Sequence, residues 1–456
     1  MNIPNLLGAL EAKFKLNPAD ARLLIIGLGA TGYSVAQFLQ QTPIKFGIID
    51  SRRNPPLINT LREQMPDVPV FLGGFDQAAL EVATHLLISP GVSLNEKAIS
   101  KAMQAGVTVM SDVDLFACAT DKPVIAITGS NGKSTVTTML GDMGSAAGVK
   151  TAIGGNLGVP ALDLLAQDSD LYVLELSSFQ LERTSALNAI AAAVLNLSPD
   201  HLDRHDGMDD YAREKQRIFR GTGAVIVNAD DPIVMAMAEV GRTCLTFSVL
   251  HKADFYLQRG EVSYLMFGDR VLMRADELPL EGTHNIANAL AALALGYAAG
   301  LDVENMCLAL KKFKGLSHRM QKVAELQSVV WVNDSKATNI GACVAALEGY
   351  ERKVILIAGG DAKGADMREL VPIVAARTKL VILMGKDASL MEAALAGCVP
   401  VYFANNMKEA VNIARQQSQA GDIVLLSPAC ASLDQYKSYV DRGNKFAEAV
   451  LEHSPC

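Results

Sequence analysis

Cysteine is scarce in this chain, seven in 456 residues, and no two form a C-x-x-C pair. That excludes a disulfide framework and argues against structural zinc. It fits a protein kept reduced in the cytoplasm. Long apolar runs are missing as well. Residues 23–30 (LLIIGLGA) are apolar but short and broken by glycine. They read as a strand, not as a membrane span or the core of a signal peptide. Positive charge is not in excess: 41 Lys and Arg stand against 49 Asp and Glu, a net charge of −8. Nucleic acid is therefore excluded as the main partner, while local basic pockets for small anions remain open. Internal repeats and low-complexity tracts are absent.

The chain does have length and apolar content. At 456 residues, half of them hydrophobic, it is too long for one core and predicts about three domains. Short β-type runs alternate with Ala-rich helical stretches, the signature of an α/β fold with largely parallel sheets. Three blocks are expected, 1–111, 112–314 and 315–456. Strands are read at 22–27, 86–89 and 107–110 in the first. In the second they fall at 171–176, 191–197 and 224–229. In the third they fall at 329–332, 353–359, 379–385 and 422–427.

Residues 127–135 read ITGSNGKST, directly after the apolar run Val124-Ile125-Ala126. Gly129 and Gly132 free the backbone to turn its N–H groups toward a phosphate, and a helix starting near Ser134 adds its positive end. Lys133 would reach β- and γ-phosphates, and Ser134 or Thr135 would ligate Mg²⁺. Ile127 stands where a strict P-loop has glycine, which leaves a shorter Gly-x-x-Gly-Lys-Ser form.

A second glycine motif, Gly27, Gly29 and Gly32, follows the first strand, with Asp50 closing the next. Taken alone it is a dinucleotide fingerprint and suggests an NAD(P) dehydrogenase. Physically it requires only a phosphate-bearing nucleotide, or simply a close-packed turn. Glu175 closes a strand in LELSSFQLE (174–182), where a carboxylate either holds a metal or is simply solvated. In NLSPDHLDRH (196–205), His201 and His205 are four apart, beside Asp200 and Asp203. Helical spacing would admit zinc, but a polar loop with one functional histidine is the better reading. Lys215, by itself, reads as a helix-surface lysine.

Taken together and in order, these motifs resemble the Mur ligase family of ATP-dependent amide-forming enzymes. The set is TGSNGKST, LELSSFQLE, NLSPDHLDRH, THNIANALAA (283–292), GLSHRM (315–320), VNDSKATN (332–339), AGGDAKGAD (358–366) and SPACASLDQYKSYVDRGNKF (427–446). The resemblance spans essentially the whole chain. It implies a Rossmann-like first domain that binds the UDP of a substrate, a P-loop ATPase-like centre, and a Rossmann-like C-terminal domain closing over ATP. The LELSSFQLE and SPACASLDQYK segments point within the family to addition of D-glutamate to UDP-N-acetylmuramoyl-L-alanine, by a monomer in the cytoplasm.

The resemblance also implies residue roles. Ala30, Thr31, Asp50, Ser51, Arg52 and Gly91 match the UDP-sugar site, and Asn156, Ser177 and Gln180 the muramoyl-alanine portion. Gly129, Ser130, Asn131, Gly132, Lys133, Ser134 and Thr135 match the phosphate cradle, with Asn285, Arg319 and Asp334 around the rest of ATP. Ser134 and Glu175 match one Mg²⁺ site, and His201 and Lys215 a second, Lys215 as a carbamate. Lys336, Thr338, Lys363, Ser432, Leu433 and Tyr439 match the D-glutamate end. The catalytic set implied is Lys133, Glu175, His201 and Lys215.

Overall fold

The computed structural model describes residues 2–75, 77–238, 241–280, 282–350 and 352–452. Apolar runs that are buried on both faces build three sheets, as parallel strands require. The first holds β1 (Leu23–Ile26), β2 (Phe46–Asp50), β3 (Val70–Leu72), β4 (His85–Ile88) and β5 (Thr108–Met110). All are parallel, in the order β3-β2-β1-β4-β5. The order reverses between β1 and β4, the switch point at which sheets of this kind offer a ligand crevice at the strand C-termini.

The second sheet contains β6 (Val124–Thr128), β7 (Thr151–Gly155), β8 (Leu171–Glu175), β9 (Ala191–Val194), β10 (Ala224–Asn228) and β11 (Cys244–Ser248). It continues with β12 (Phe255–Gln258), β13 (Tyr264–Phe267) and β14 (Arg270–Arg274). Its order is β14-β13-β12-β11-β10-β9-β6-β8-β7, antiparallel only at the β12-β13-β14 edge. The third sheet holds β15 (Gln321–Leu326), β16 (Val329–Asn333), β17 (Val354–Ala358), β18 (Thr378–Leu383), β19 (Val401–Phe403) and β20 (Ile423–Leu426). Its order is β15-β16-β20-β17-β18-β19, and only β15 runs antiparallel.

The strands expected from apolar runs are present, several trimmed at their ends: 191–197 shortens to Ala191–Val194. β3, β7, β11 to β15 and β19 were not expected. β14 and β15 are largely open to solvent and carry no continuous apolar signal, and the apolar stretches of β12 and β13 are only three or four residues long.

One core runs unbroken from Leu6 and Leu10, through Ile25 and Ile48, to Phe116, Leu174 and Val225 under the second sheet. The helix Asp112–Ala119 sits at this seam. Its capping box pairs the Ser111 hydroxyl with the Asp114 N–H at 2.9 Å and Asp114 with the Ser111 N–H at 3.0 Å. Asp114 also accepts from the backbone of Ser185 and Ala186, locking the first two sheets together. On the other face of the second sheet, the helices Lys133–Ala146 and Thr283–Ala298 fill a separate core. No helix among the described residues is long and apolar enough to cross a membrane.

Two glycines separate steric need from mere tolerance. A Cβ on Gly32 would overlap the carbonyl oxygen of Gly27, whereas one on Gly8, inside the helix Ile3–Phe14, would meet nothing. Gly32→Ala is expected to cost about 1–3 kcal/mol. Gly8→Ala is expected to gain about 0.5–1 kcal/mol. Thermal melts of the two variants check both the sign and the contrast.

Candidate functional site

The site is assembled where β6, β8 and β9 end. After Thr128 the chain turns through Gly129 and Gly132, both in the left-handed region, with φ of 150° and 84°. Gly132 then leads directly into the helix Lys133–Ala146, one residue earlier than expected. A Cβ on Gly132 would collide with the Asn288 side chain, so this approach needs glycine. The loop is fastened to the exit of β9. Asn131 N–H donates to Asn196 Oδ1 at 2.8 Å, Ser130 N–H donates to Asn196 O at 2.9 Å, and the Ser130 hydroxyl donates to Ser198 O at 3.0 Å. Lys133 Nζ folds back onto the carbonyls of Gly129 and Ser130, at 2.7 and 2.8 Å. Burial lowers its pKa, while Glu175 and Asp200 pull the other way.

Glu175 lies buried at the end of β8. It accepts from Ser134 Oγ at 2.6 Å and Asn156 Nδ2 at 2.7 Å. Burial alone would raise its pKa, but Lys133, Lys336 and those two hydrogen bonds outweigh it and hold the carboxyl below its usual range. The Ser177 hydroxyl receives Gln180 N–H at 3.2 Å, and Gln180 Oε1 returns to Ser177 N–H at 3.0 Å, capping the short helix Ser178–Leu181.

Lys215 is not on a surface. It is 2% exposed, donates to Gly129 O at 2.9 Å, and lies 4.5 Å over the Tyr211 ring. Burial drives its pKa well down, and Lys133 adds to the effect against Asp200 and Glu175. The two histidines lie in a polar loop, as the preferred reading had it, and not on one helical face. Residues 198–207 are irregular, with a turn at 202–204 and His201 in the left-handed region at φ 57°. Phe179 packs on both rings, edge-on to His201 and stacked on His205. His205 is buried and engaged by Ser178 at 2.9 Å and Asp210 at 3.2 Å, which makes it structural. Burial pushes His201 down to about 4 despite Asp200, so its imidazole is neutral at pH 7 and free to ligate a cation.

The third sheet closes the site from the opposite side. Lys336 Nζ donates to Ser134 Oγ at 2.6 Å, and burial together with Arg319 pushes it down to about 7. Lys363 pairs with Asp200, and Asn339 Nδ2 reaches the same carboxylate at 3.0 Å. Lys363, Thr338, Asp200 and His201 line a small recess between the two units. The loop of Ser432 and Leu433 joins through a backbone bridge between Asp361 and Ala431; Ser432 is buried and Leu433 is 75% exposed. Tyr439 lies 5.2 Å from Lys336 Nζ. Asp334 accepts from Ser427 Oγ at 2.9 Å, and burial pushes it up to about 7 against the pull of Arg319. Asn285 adjoins Asn288, which borders Gly132. Ser130 and Thr135 are buried within the loop and its helix.

The other expected residues gather at the first sheet. Ala30 and Thr31 open the helix Ala30–Leu39. Asp50 receives Leu28 N–H at 2.7 Å and the Arg52 guanidinium at 2.6 and 2.8 Å, Ser51 is exposed, and space is open beside Gly91. Sequence reasoning gave no role to Asn339, Tyr211 or Asp200. Only Asp200 carried a signal, its place beside His201.

Among the described residues no group of three His, Cys, Asp or Glu could hold a metal. The donors present are one carboxylate, a serine hydroxyl, a neutral imidazole and a buried lysine. Of these, the oxygen donors Glu175 and Ser134 suit Mg²⁺, which takes few protein oxygens and shares phosphate oxygens.

Three family models match: "Mur ligase MurD-like, N-terminal domain" over 21–111, "Mur ligase middle domain" over 127–296 and "Mur ligase, glutamate ligase domain" over 318–430. The chain is 51% identical over 433 residues to UDP-N-acetylmuramoylalanine--D-glutamate ligase of Methylococcus capsulatus, covering 94% of each. It is 48% identical to the protein of that name from Pseudomonas aeruginosa, covering 95% of this chain and 98% of the other. Its fold resembles MurF of Acinetobacter baumannii, with a TM-score of 0.61 at 17% identity and 98% coverage of both. It also resembles UDP-N-acetylmuramate-alanine ligase MurC of Thermotoga maritima, with a TM-score of 0.60 at 16% identity, covering 95% of this chain and all of that one.

The burial of Lys215 has a thermodynamic consequence. A lysine whose pKa falls on folding adds stability above its unfolded pKa and loses it as pH drops through the folded value. Without nucleotide or bicarbonate, Lys215→Met should therefore melt above the parent protein at pH 7, and the gap should narrow toward pH 10.5. Melting curves at both pH values check this.

Proposed function

The chain belongs to the Mur ligase family, and on that premise we propose that it joins D-glutamate to UDP-N-acetylmuramoyl-L-alanine at the expense of ATP, a step of peptidoglycan precursor synthesis. The observation that carries this reading is the contact of Lys336, from the third sheet, with Ser134 of the phosphate loop. It brings a cationic acceptor pocket against a nucleotide cradle. Such a juxtaposition suits phosphoryl transfer followed by amine attack.

A carboxylate is a poor acyl donor, since its leaving group would be oxide. ATP solves this. The terminal carboxylate oxygen of the L-alanyl group attacks the γ-phosphorus, the bond to the β-phosphate oxygen breaks, and acyl phosphate and ADP result. The D-glutamate amine then adds to the acyl carbon, phosphate leaves with the bonding pair, and the nitrogen sheds a proton to solvent. Gly129 to Thr135 cradle the phosphates, and Lys133 swings from its loop carbonyls to the transferring group. Asn285, Arg319 and Asp334 hold the remainder of the nucleotide. Ala30, Thr31, Asp50, Ser51, Arg52 and Gly91 hold the UDP end, and Asn156, Ser177 and Gln180 the muramoyl-alanine end.

Lys363 and Ser432 hold carboxylates of D-glutamate, while Lys336, Thr338, Leu433 and Tyr439 complete its pocket. Ser134 and Glu175 would hold one Mg²⁺, and His201 and Lys215 a second. Mg²⁺ offsets repulsion among the anionic oxygens that must meet. An ammonium cannot be a ligand there. Burial lowers the Lys215 pKa well below the usual lysine range, which favours the neutral amine that adds to CO₂: nitrogen bonds to carbon, a proton leaves, and an anionic carbamate oxygen becomes available. The reading extends to a monomer working in the cytoplasm. The six described cysteines are all free, in keeping with a reducing compartment.

Phosphate release should require the UDP-muramoyl substrate and D-glutamate together; equal turnover with L-lysine would sink the acceptor assignment. Lys215→Ala should remain folded and lose roughly a thousandfold in rate. Acetate at high concentration should restore part of it, and Lys215→Arg should fail as well. Near-parental turnover by Lys215→Ala in bicarbonate-free buffer would remove the lysine from the mechanism.

A further inference from the structure

Arg183 lies two residues past the helix Ser178–Leu181 and is assigned no part in the chemistry above. Its side chain is fully buried, with none of its surface exposed. Nη1 crosses to the first sheet and donates to the carbonyls of Ser89 at 2.8 Å, Val92 at 3.1 Å and Ile88 at 3.4 Å. Nη2 is held by Glu182 at 2.7 Å. The three carbonyls belong to the end of β4 and the turn after it, which Val92 N–H closes onto Ser89 O at 3.0 Å.

That turn forms one wall of the crevice between β1 and β4. The Ser89 hydroxyl donates to Gly27 O at 3.0 Å, and a Cβ on Gly27 would come within 3.2 Å of both Ser89 and Val92. The shape of the first glycine turn therefore depends on where residues 89–92 sit. Their carbonyls lie past the strand's end, where no ladder partner is available. A buried guanidinium reaching in from the second sheet replaces one, with charge-assisted bonds of above-average strength. The same segment of chain carries Ser177 and Gln180, eight residues or fewer from Glu175.

We propose that Arg183 is a positioning residue for UDP recognition: it sets the 89–92 wall of the β1/β4 crevice from the neighbouring unit. The inference rests on the functional reading given above. UDP alone occupies only the first unit, so its affinity reports the wall directly, and Mg-ATP binding reports the second unit separately.

The test is calorimetric titration of the full chain and its Arg183→Met and Arg183→Lys variants with UDP and with Mg-ATP. Arg183→Met should weaken UDP about tenfold, the loss of one or two charge-assisted bonds. Arg183→Lys, which keeps a point charge but not the fork, should lose about threefold. Mg-ATP affinity should stay within about twofold, and KM for the UDP substrate should rise while kcat holds. Unchanged UDP affinity in both variants would reduce Arg183 to a tether between units. Equal loss of UDP and Mg-ATP affinity would mark general destabilisation and overturn the proposal too. Should Arg183→Met fail to fold, the lysine variant alone decides. A parent protein that binds Mg-ATP but no UDP would overturn the underlying reading instead.

Discussion

Four lysines, Lys133, Lys215, Lys336 and Lys363, converge on two carboxylates, Glu175 and Asp200, in a region largely closed to water. Taking charge out of water is costly unless partners compensate. Here four lysines face two carboxylates. Two of the lysines turn onto backbone carbonyls of the phosphate loop, and a third onto a serine hydroxyl. Burial pushes Lys133, Lys215 and Lys336 down in pKa, and Lys133 and Lys336 help to hold Glu175 ionised. Lysines in this number suit incoming phosphates and carboxylates, whose negative charge favours the ammonium form.

This imbalance is sustained by rigid surroundings. Gly129 and Gly132 can take their left-handed conformations without strain, and the loop between them is stitched to Asn196 and Ser198 at the exit of the adjacent strand. Three parallel strands end side by side, so the loop, Glu175 and the 196–200 turn are held to one edge of one sheet. Cores pack both faces of that sheet. Stability lies in these apolar layers, and the polar cluster draws on it.

The units differ in how they meet. The first and second share a continuous apolar core and the Ser111–Asp114 cap. The second and third meet through polar groups: Lys336 on Ser134, Lys363 on Asp200, and Asn339 on Asn131 and Asp200. Apolar contact holds one geometry, whereas polar contact exchanges readily with water and ligands. The second seam is thus the one suited to opening for ATP and the acceptor.

Local order was legible in the chain itself. Fully apolar runs such as Val354–Ala358 and Ile423–Leu426 are strands because a doubly covered parallel strand must be apolar on both faces, and the glycine loops announce their turns because only glycine tolerates such backbone. The edge strands β14 and β15 left no such mark, since they are largely open to solvent. Lys215 was beyond reach of the residues alone. Its neighbours in sequence read as a polar helix, and its burial comes from Thr128 and Gly129, more than eighty residues away. His201 and His205 look equivalent at a spacing of four, yet Ser178 and Asp210 claim one and leave the other to Asp200. Arg183 follows a legible motif, but its partners lie on a different sheet. Backbone preference and apolar periodicity are local properties, readable in sequence. Burial, pairing and pKa depend on groups that only the folded chain brings together.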